Sequence, residues 1–204
     1  MTTTLYLIRH AETMWNREGR MQGFGDSPLS ELGTQQAEAL ARRMPELKID
    51  AFYSSDAPRC LRTMRIATGS LNARVAQMPE LRERHMGDWE GKLWTEISGE
   101  DPEGARLYKT TAEYRPPHGE SLLELRNRIT RALVEISAAN PGRRSAIFTS
   151  GGSIRAAVFG LLDIPCDAWA KLSAWNTGIT RFDLRDAHWK LTSFNDTTHL
   201  SFKI

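Results

Sequence analysis

Short, continuous apolar runs recur along this chain, each closing on polar or small residues, and segments with helical spacing alternate with them. Leu5-Tyr6-Leu7-Ile8 runs into Arg9-His10, Ala51-Phe52-Tyr53-Ser54 into Ser55-Asp56, and Ser145-Ala146-Ile147-Phe148-Thr149 into Ser150-Gly151-Gly152. Runs of this length and composition read as buried strands. Strands that alternate with helices imply a largely parallel sheet covered on both faces. A chain of 204 residues can bury one sizeable core. The expected fold is therefore α/β, a three-layer α/β/α sandwich with a mostly parallel sheet.

Strands are predicted over 4–9, 51–54, 73–77 and 145–149. Residues 14–29, with Gly19, Gly23, Gly25 and Pro28, read as a loop. A helix starts at Ser30 and runs to about Met44, where Pro45 stops it. Ser55 or Asp56 is placed to cap a helix that has Pro58 in its first turn and ends at Gly69. Gly119-Glu120-Ser121 opens the longest helix, with Leu122, Leu125, Ile129, Leu133 and Ile136 on one face. A helix at 153–162 follows the last parallel strand. Segments 178–185 and 188–195 alternate around Asp186-Ala187 and read as a hairpin. Between 80 and 118, glycines interrupt the chain and only 93–98 look helical. Long insertions of this kind are often functional. Residues 1–204 read as a single domain, with a small helical and loop cap inserted at about 84–118.

Composition narrows the function. A net charge of +2 with no basic run argues against a nucleic-acid partner. Anion binding has to come from a few arginines placed locally. Cys60 and Cys166 make neither a disulfide framework nor a zinc site and fit a reducing compartment. The start, Met1-Thr2-Thr3-Thr4, has no basic region of a signal peptide. No apolar stretch approaches the roughly 20 residues of a membrane span. The expectation is a cytoplasmic protein with no membrane or nucleic-acid partner; a homodimer is compatible with the sequence.

A strand that ends in Arg9-His10 delivers a guanidinium and an imidazole to the carboxyl edge of the sheet, where open α/β sheets bind ligands. An arginine fork suits phosphate oxygens, and a neutral imidazole is a nucleophile. Arg59 falls in the first turn of a helix, whose amino end favours anions. Leu81-Arg82-Glu83-Arg84 opens the insertion. In Thr149-Ser150-Gly151-Gly152, backbone NH groups and the Ser150 hydroxyl can face an anion. That segment is not a nucleophile elbow, which would need glycine at Phe148. His118 is expected at the rim. His85, His188 and His199 lack metal-ligand spacing.

Taken in order, these blocks resemble the histidine phosphatase superfamily, in the branch with phosphoglycerate mutases and fructose-2,6-bisphosphatase. That family opens with Arg-His-Gly-Glu-Thr and an asparagine three residues later; here stand Arg9-His10-Ala11-Glu12-Thr13 and Asn16. Gln22-Gly23, Asp26-Ser27-Pro28-Leu29-Ser30, Gly33 and Gln36-Ala37 continue the pattern. So do Ser54-Ser55, Arg59 and Thr63, then Leu81, Glu83, Gly87, Trp89, Glu90 and Gly91. Gly119-Glu120-Ser121 with Arg126 and Arg128 follows, then Asn195 and His199-Leu200. Two positions depart. Ala11 stands for glycine, and Ser150-Gly151 stands where the family has His-Gly. The family's histidine is a phosphate clamp; serine offers a neutral donor in its place, and charged donors are roughly twice as strong.

The resemblance implies a phosphoglycerate mutase-like fold and a metal-independent phosphatase with no cofactor. Its substrate would be a small phosphate monoester, cleaved through a phosphohistidine on His10. Arg9 and Arg59 would complete the charge, and Glu83 would act as acid and base. Asn16, Gln22, Gly23, Ser150 and Gly151 would line the phosphate and substrate site. The alternatives are a phosphoglycerate mutase-type phosphoryl transferase, or a weakened phosphate-ester binder or phosphoprotein-directed homologue because of Ser150. Arg106, Lys109 and Arg115 in the cap offer charge for a second anionic group.

Overall fold

The computed structural model describes residues 1–69 and 74–200. Six strands form one sheet: β1 (Thr3–Arg9), β2 (Ala51–Ser54), β3 (Val75–Gln77), β4 (Arg144–Thr149), β5 (Ile179–Arg185) and β6 (His188–Asp196). Their order is β3-β2-β4-β1-β5-β6. The first four are parallel, and β5 and β6 add an antiparallel edge. The predicted strand at 73–77 begins at Val75; residue 73 lies outside the described residues. Asp186 and Ala187 both have positive φ, 51° and 61°, as a two-residue hairpin turn with the twist of its strands requires.

Helices cover both faces. On one side α2 (Glu31–Leu47) and α3 (Pro58–Thr68) pack on Tyr6, Ile8, Ala146 and Phe148. On the other, α6 (Leu122–Ala139) and α7 (Gly151–Leu161) pack on Leu5, Leu7 and Ile147. Neighbouring residues of β1 and β4 thus serve opposite layers, following the two-residue period of a strand. All are buried, which explains why these strands read as continuous apolar runs.

Local signals account for most element ends, and for the departures from expectation. The stretch 14–29 is not all loop: α1 (Met14–Glu18) forms there, with Thr13 and Asn16 in a reciprocal capping box. Pro45 does not end α2. It removes a bond only two residues before the end, and the helix closes at Lys48 in the left-handed region (φ 51°). Neither Ser55 nor Asp56 is the N-cap of α3; Ala57 is, and the amide of Arg59 donates to Asp26 Oδ1 at 3.1 Å instead. The insertion holds two helices, α4 (Trp94–Glu100) and α5 (Pro102–Thr110). The second is not expected from the sequence, where Gly99 and Gly104 read as breakers, yet Asp101 caps it and Pro102 opens its first turn. Met86, Trp89, Ile97 and Ala105 build a separate small core in this region, with Tyr108 and Tyr114 packed on it.

Sheet connectivity fixes where a ligand can bind. After β1 the chain moves across β4 to β2; after β4 it moves across β1 to β5. The carboxyl ends of β1 and β4 therefore flank a point where the connections diverge. A crevice opens at such a point. Arg9 pairs with Thr149 there, so His10 and Ser150 follow side by side.

Candidate active site

A cavity of about 140 Å³ opens at this edge, lined among others by Arg9, His10, Asn16, Gln22, Gly23, Arg59 and Glu83. His10 is 3% exposed. Its Nδ1 lies 2.8 Å from the Ala11 carbonyl oxygen. A carbonyl only accepts, so Nδ1 carries the proton and Nε2 keeps its lone pair. Burial, then the charges of Arg59 and Arg9, hold His10 well below the usual histidine range. It is a neutral imidazole with one free nitrogen, the form a nucleophile requires.

Two features hold the His10 loop rigid. The Ala11 amide donates to Thr63 Oγ1 at 2.9 Å, and the Glu12 amide to Gln36 Oε1 at 2.9 Å. The start of α2 presses against the same loop: a Cβ on Gly33 would lie 2.0 Å from the Glu12 carbonyl oxygen. Only glycine allows that approach.

The arginines are clamped by carbonyl oxygens. Arg9 donates from Nη1 to Ala174 at 2.6 Å. Arg59, 1% exposed, donates to the carbonyls of Gly25 at 2.6 Å and Gly23 at 2.7 Å. In both residues the buried Nε finds no partner among the described residues. Burial, with repulsion from Arg155 and Arg59, brings Arg9 down to about 10 against the pull of Glu83; it stays charged at neutral pH. Desolvated guanidinium groups with unused donors form a site for a multiply charged anion. Asn16 and Gln22 line the same cavity; Asn16 Nδ2 donates to Gln22 Oε1 at 3.5 Å, and Asn176 donates to Asn16 Oδ1 at 3.3 Å.

Glu83 is held by backbone. Its Oε1 accepts from the Arg84 amide at 2.8 Å and its Oε2 from the Gly152 amide at 2.7 Å. Gly152 is the second residue of α7, whose amide a capping side chain would ordinarily satisfy. Ser150 is the N-cap residue, yet its hydroxyl makes no cap bond. The Glu83 carboxylate takes that place from another segment, and the wholly buried Ser150 Oγ lies beside the Cys60 thiol, with no further partner among the described residues. Ser150 does not line the 140 Å³ cavity; Gly151 lines an adjoining cleft of about 310 Å³, together with Arg9 and Glu83. Arg128 donates to the carbonyls of Glu80, Arg82 and Glu83 and pairs with Glu120 at 2.7 Å, fixing the segment that carries Glu83.

The sequence model of the histidine phosphatase superfamily (branch 1) matches residues 5–197. The chain belongs to this superfamily. A probable phosphoglycerate mutase GpmB of Escherichia fergusonii is 35% identical over 202 residues, 96% of this chain and 94% of that one. A metal-independent phosphoserine phosphatase of Arabidopsis thaliana is 35% identical over 203 residues, 98% of this chain and 84% of that one. Among solved structures, a phosphoserine phosphatase of Entamoeba histolytica, a His-to-Ala variant in complex with phosphoserine, aligns with a TM-score of 0.87. It is 31% identical, with 97% of this chain and 99% of that chain covered.

In this histidine phosphatase the rest of the cavity wall comes from residues that, Arg84 and Arg155 apart, carry no local sequence signal. Arg20, Met21, Arg84, Met86, Tyr108, Arg155 and Trp169 complete it. Tyr108 comes from α5, the helix the sequence did not announce. Arg155 follows Gly151-Gly152 by one turn, so a cation one turn into the helix after the glycine pair was the available signal. The three cap cations lie elsewhere. Arg106 pairs with Glu103 and Arg115 with Glu124 at the surface, and Lys109 stacks on Trp94. His118 is exposed and pairs with Asp88 at 3.0 Å. Among the described residues no cluster of three His, Cys, Asp or Glu could hold a metal, and no helix is long and apolar enough to cross a membrane.

Proposed function

We propose that this chain hydrolyses a small phosphate monoester through a phosphohistidine on His10. The observation that carries the reading is the neutral, Nδ1-protonated imidazole held beside two buried guanidiniums with unused donors. His10 Nε2 attacks phosphorus, forming the N–P bond as the ester P–O bond breaks. Arg9, Arg59 and Asn16 hold the phosphoryl oxygens, and such charge stabilisation is the main catalytic term in phosphoryl transfer. Glu83 gives a proton to the leaving alkoxide. A water then takes the vacated position and loses a proton to Glu83 while its oxygen attacks phosphorus. The N–P bond breaks and orthophosphate leaves.

Both phosphoserine phosphatase relatives support small phosphorylated substrates. The cavity of about 140 Å³ and the adjoining cleft of about 310 Å³, which share Arg9 and Glu83, give room for a phosphoryl group and a small leaving alcohol. The mutase reading, in which the phosphoryl group returns to a second hydroxyl, predicts dependence on a bisphosphate primer.

The test is a screen of small phosphate esters with rapid quenching, comparing the wild type with His10→Ala. The expected result is a protein-bound phosphoryl group that survives alkali and is lost in acid, absent from His10→Ala, with turnover independent of primer. Turnover by purified His10→Ala would overturn the mechanism.

A further inference from the structure

A carboxylate close to a phosphate site works against anion binding, so one that stands there needs a physical reason. Glu90 is such a group. Its side chain is mostly buried, yet it lines neither the catalytic cavity nor the adjoining cleft. Among the described residues no arginine or lysine pairs with it; His85 Nε2 lies 3.7 Å from Oε1. Its charge is spent on backbone instead. Oε1 accepts from the Phe24 amide at 2.7 Å and the Met86 amide at 3.1 Å, and Oε2 accepts from the Gly25 amide at 2.8 Å.

The peptide between Gly23 and Phe24 gives the reason. A trans peptide is planar, with its N–H and C=O pointing in opposite directions. The N–H of this unit donates to Glu90, while its C=O, the Gly23 oxygen, accepts from Arg59 Nη2 at 2.7 Å. Carboxylate, peptide and guanidinium form one chain of hydrogen bonds, each polarising the next. Arg59 Nη1 donates to the Gly25 oxygen at 2.6 Å, and the amide of that same residue is held by Glu90 Oε2. Both carbonyls that clamp Arg59 therefore lie in the segment that Glu90 fixes. The backbone is shaped for this contact. Gly23 has φ +55°, and a Cβ there would overlap Glu90 Oε1, so the turn and the close approach both require glycine. Neighbouring residues have their own anchors: Met21 pairs with Gly91 and Lys92, and Asp26 pairs with Arg62. Among the described residues the Phe24 and Gly25 amides have Glu90 as their acceptor.

We propose that Glu90 is a positioning residue for phosphoryl transfer: it sets the Gly23–Phe24 peptide, and through that peptide it aims the Arg59 guanidinium at the phosphoryl group. This rests on the reading of Arg59 as a holder of phosphoryl oxygens. Met86 belongs to the cap insertion and lines the catalytic cavity, so the same carboxylate ties the cap to the phosphate clamp.

The test is calorimetric binding of orthovanadate, a mimic of the phosphoryl group. Wild type, Glu90→Gln and Glu90→Asp are compared, each with Arg59 intact and with Arg59→Lys. Glutamine sets an NH₂ donor against an amide donor. Aspartate keeps the charge but is one methylene too short to reach both amides. Both changes should weaken vanadate binding about 10- to 100-fold, the scale of a lost charged hydrogen bond. Lysine at 59 keeps a cation but lacks the fork that takes both carbonyls. In that background the same two changes should alter affinity by less than about threefold. A carboxylate acting only as a counter-charge gives the opposite pattern: Glu90→Gln would tighten vanadate binding and Glu90→Asp would leave it unchanged. A residue that only supports the fold would lower Tm and leave the affinity alone. Either result would overturn the proposal, as would equal losses in both backgrounds, or unfolding of both variants under conditions where the wild type is folded. Vanadate binding needs no turnover. A wild type that binds vanadate with this dependence on Glu90 and Arg59 but cleaves no ester would refute the hydrolysis alone; a wild type that binds no vanadate would refute both.

Discussion

Gly152→Ala should disable the acid–base group without unfolding the protein. A Cβ at Gly152 would lie 1.9 Å from Glu83 Oε1, 2.7 Å from Cδ and 2.9 Å from Oε2. The carboxylate must retreat by roughly 1 Å, a misplacement on the scale that lowers rates about 10²-fold. It must also give up the bond from the Gly152 amide, now 2.7 Å long. The clashing atoms are the far end of a flexible side chain, so the fold should absorb the change. Alanine is also the better helix former, by roughly 0.5–1 kcal/mol. The expected result is a kcat loss of about 10²-fold on alkyl phosphates, a much smaller loss on activated aryl phosphates, and little change in Tm. Poor leaving groups need the proton that Glu83 supplies, and good ones do not. Equal losses on both substrate types, or full activity on alkyl esters, would refute the role given to Glu83 and to the amide that holds it.

Other outcomes follow from the same geometry. His10 is held well below the ordinary histidine range by burial and by Arg59 and Arg9. Between that depressed value and about 6.5 the unfolded chain binds a proton that the folded chain does not. Stability should therefore fall as pH drops through this window, while ¹⁵N spectra at about pH 5.5 still show a neutral, Nδ1-protonated ring; an imidazolium signal there would contradict the site. Ser150 lines neither the cavity nor the adjoining cleft, so Ser150→Ala should leave turnover at saturating substrate within about 2-fold of wild type; a loss of about 10-fold would show that the hydroxyl reaches a phosphoryl oxygen. Activity should survive a strong chelator, because Arg9 and Arg59 supply the positive charge; loss that Mg²⁺ or Zn²⁺ restores would refute this. Burial pushes the Cys60 thiol up to about 11, so a thiol reagent should leave it unmodified in the native protein and label it after denaturation.

What the sequence determined is what is written in contiguous residues. The strands β1, β2 and β4 were legible because both their faces are buried, which forces continuous apolar runs. Arg9-His10 was legible as a site because a strand's end must deliver its next side chains to the sheet edge. The Asp186-Ala187 hairpin could be read from alternation alone. Tertiary structure decided what depends on approach between distant segments. Glu83 caps α7 across 69 residues, and nothing within the α7 segment announces that its amide is satisfied from outside or that Ser150 is released by it. Pro45 sits inside a helix because the chain ends its turn two residues later, a matter of packing rather than propensity. Tyr108 reaches the cavity only because α5 forms against the small core around Trp89. Arg155 reaches the cavity wall only because the fold brings the first turns of α7 beside Trp169, on whose ring its guanidinium stacks. Local composition sets which elements form. Which polar atoms are left without a partner, and therefore wait for a ligand, depends on every segment that does or does not reach them.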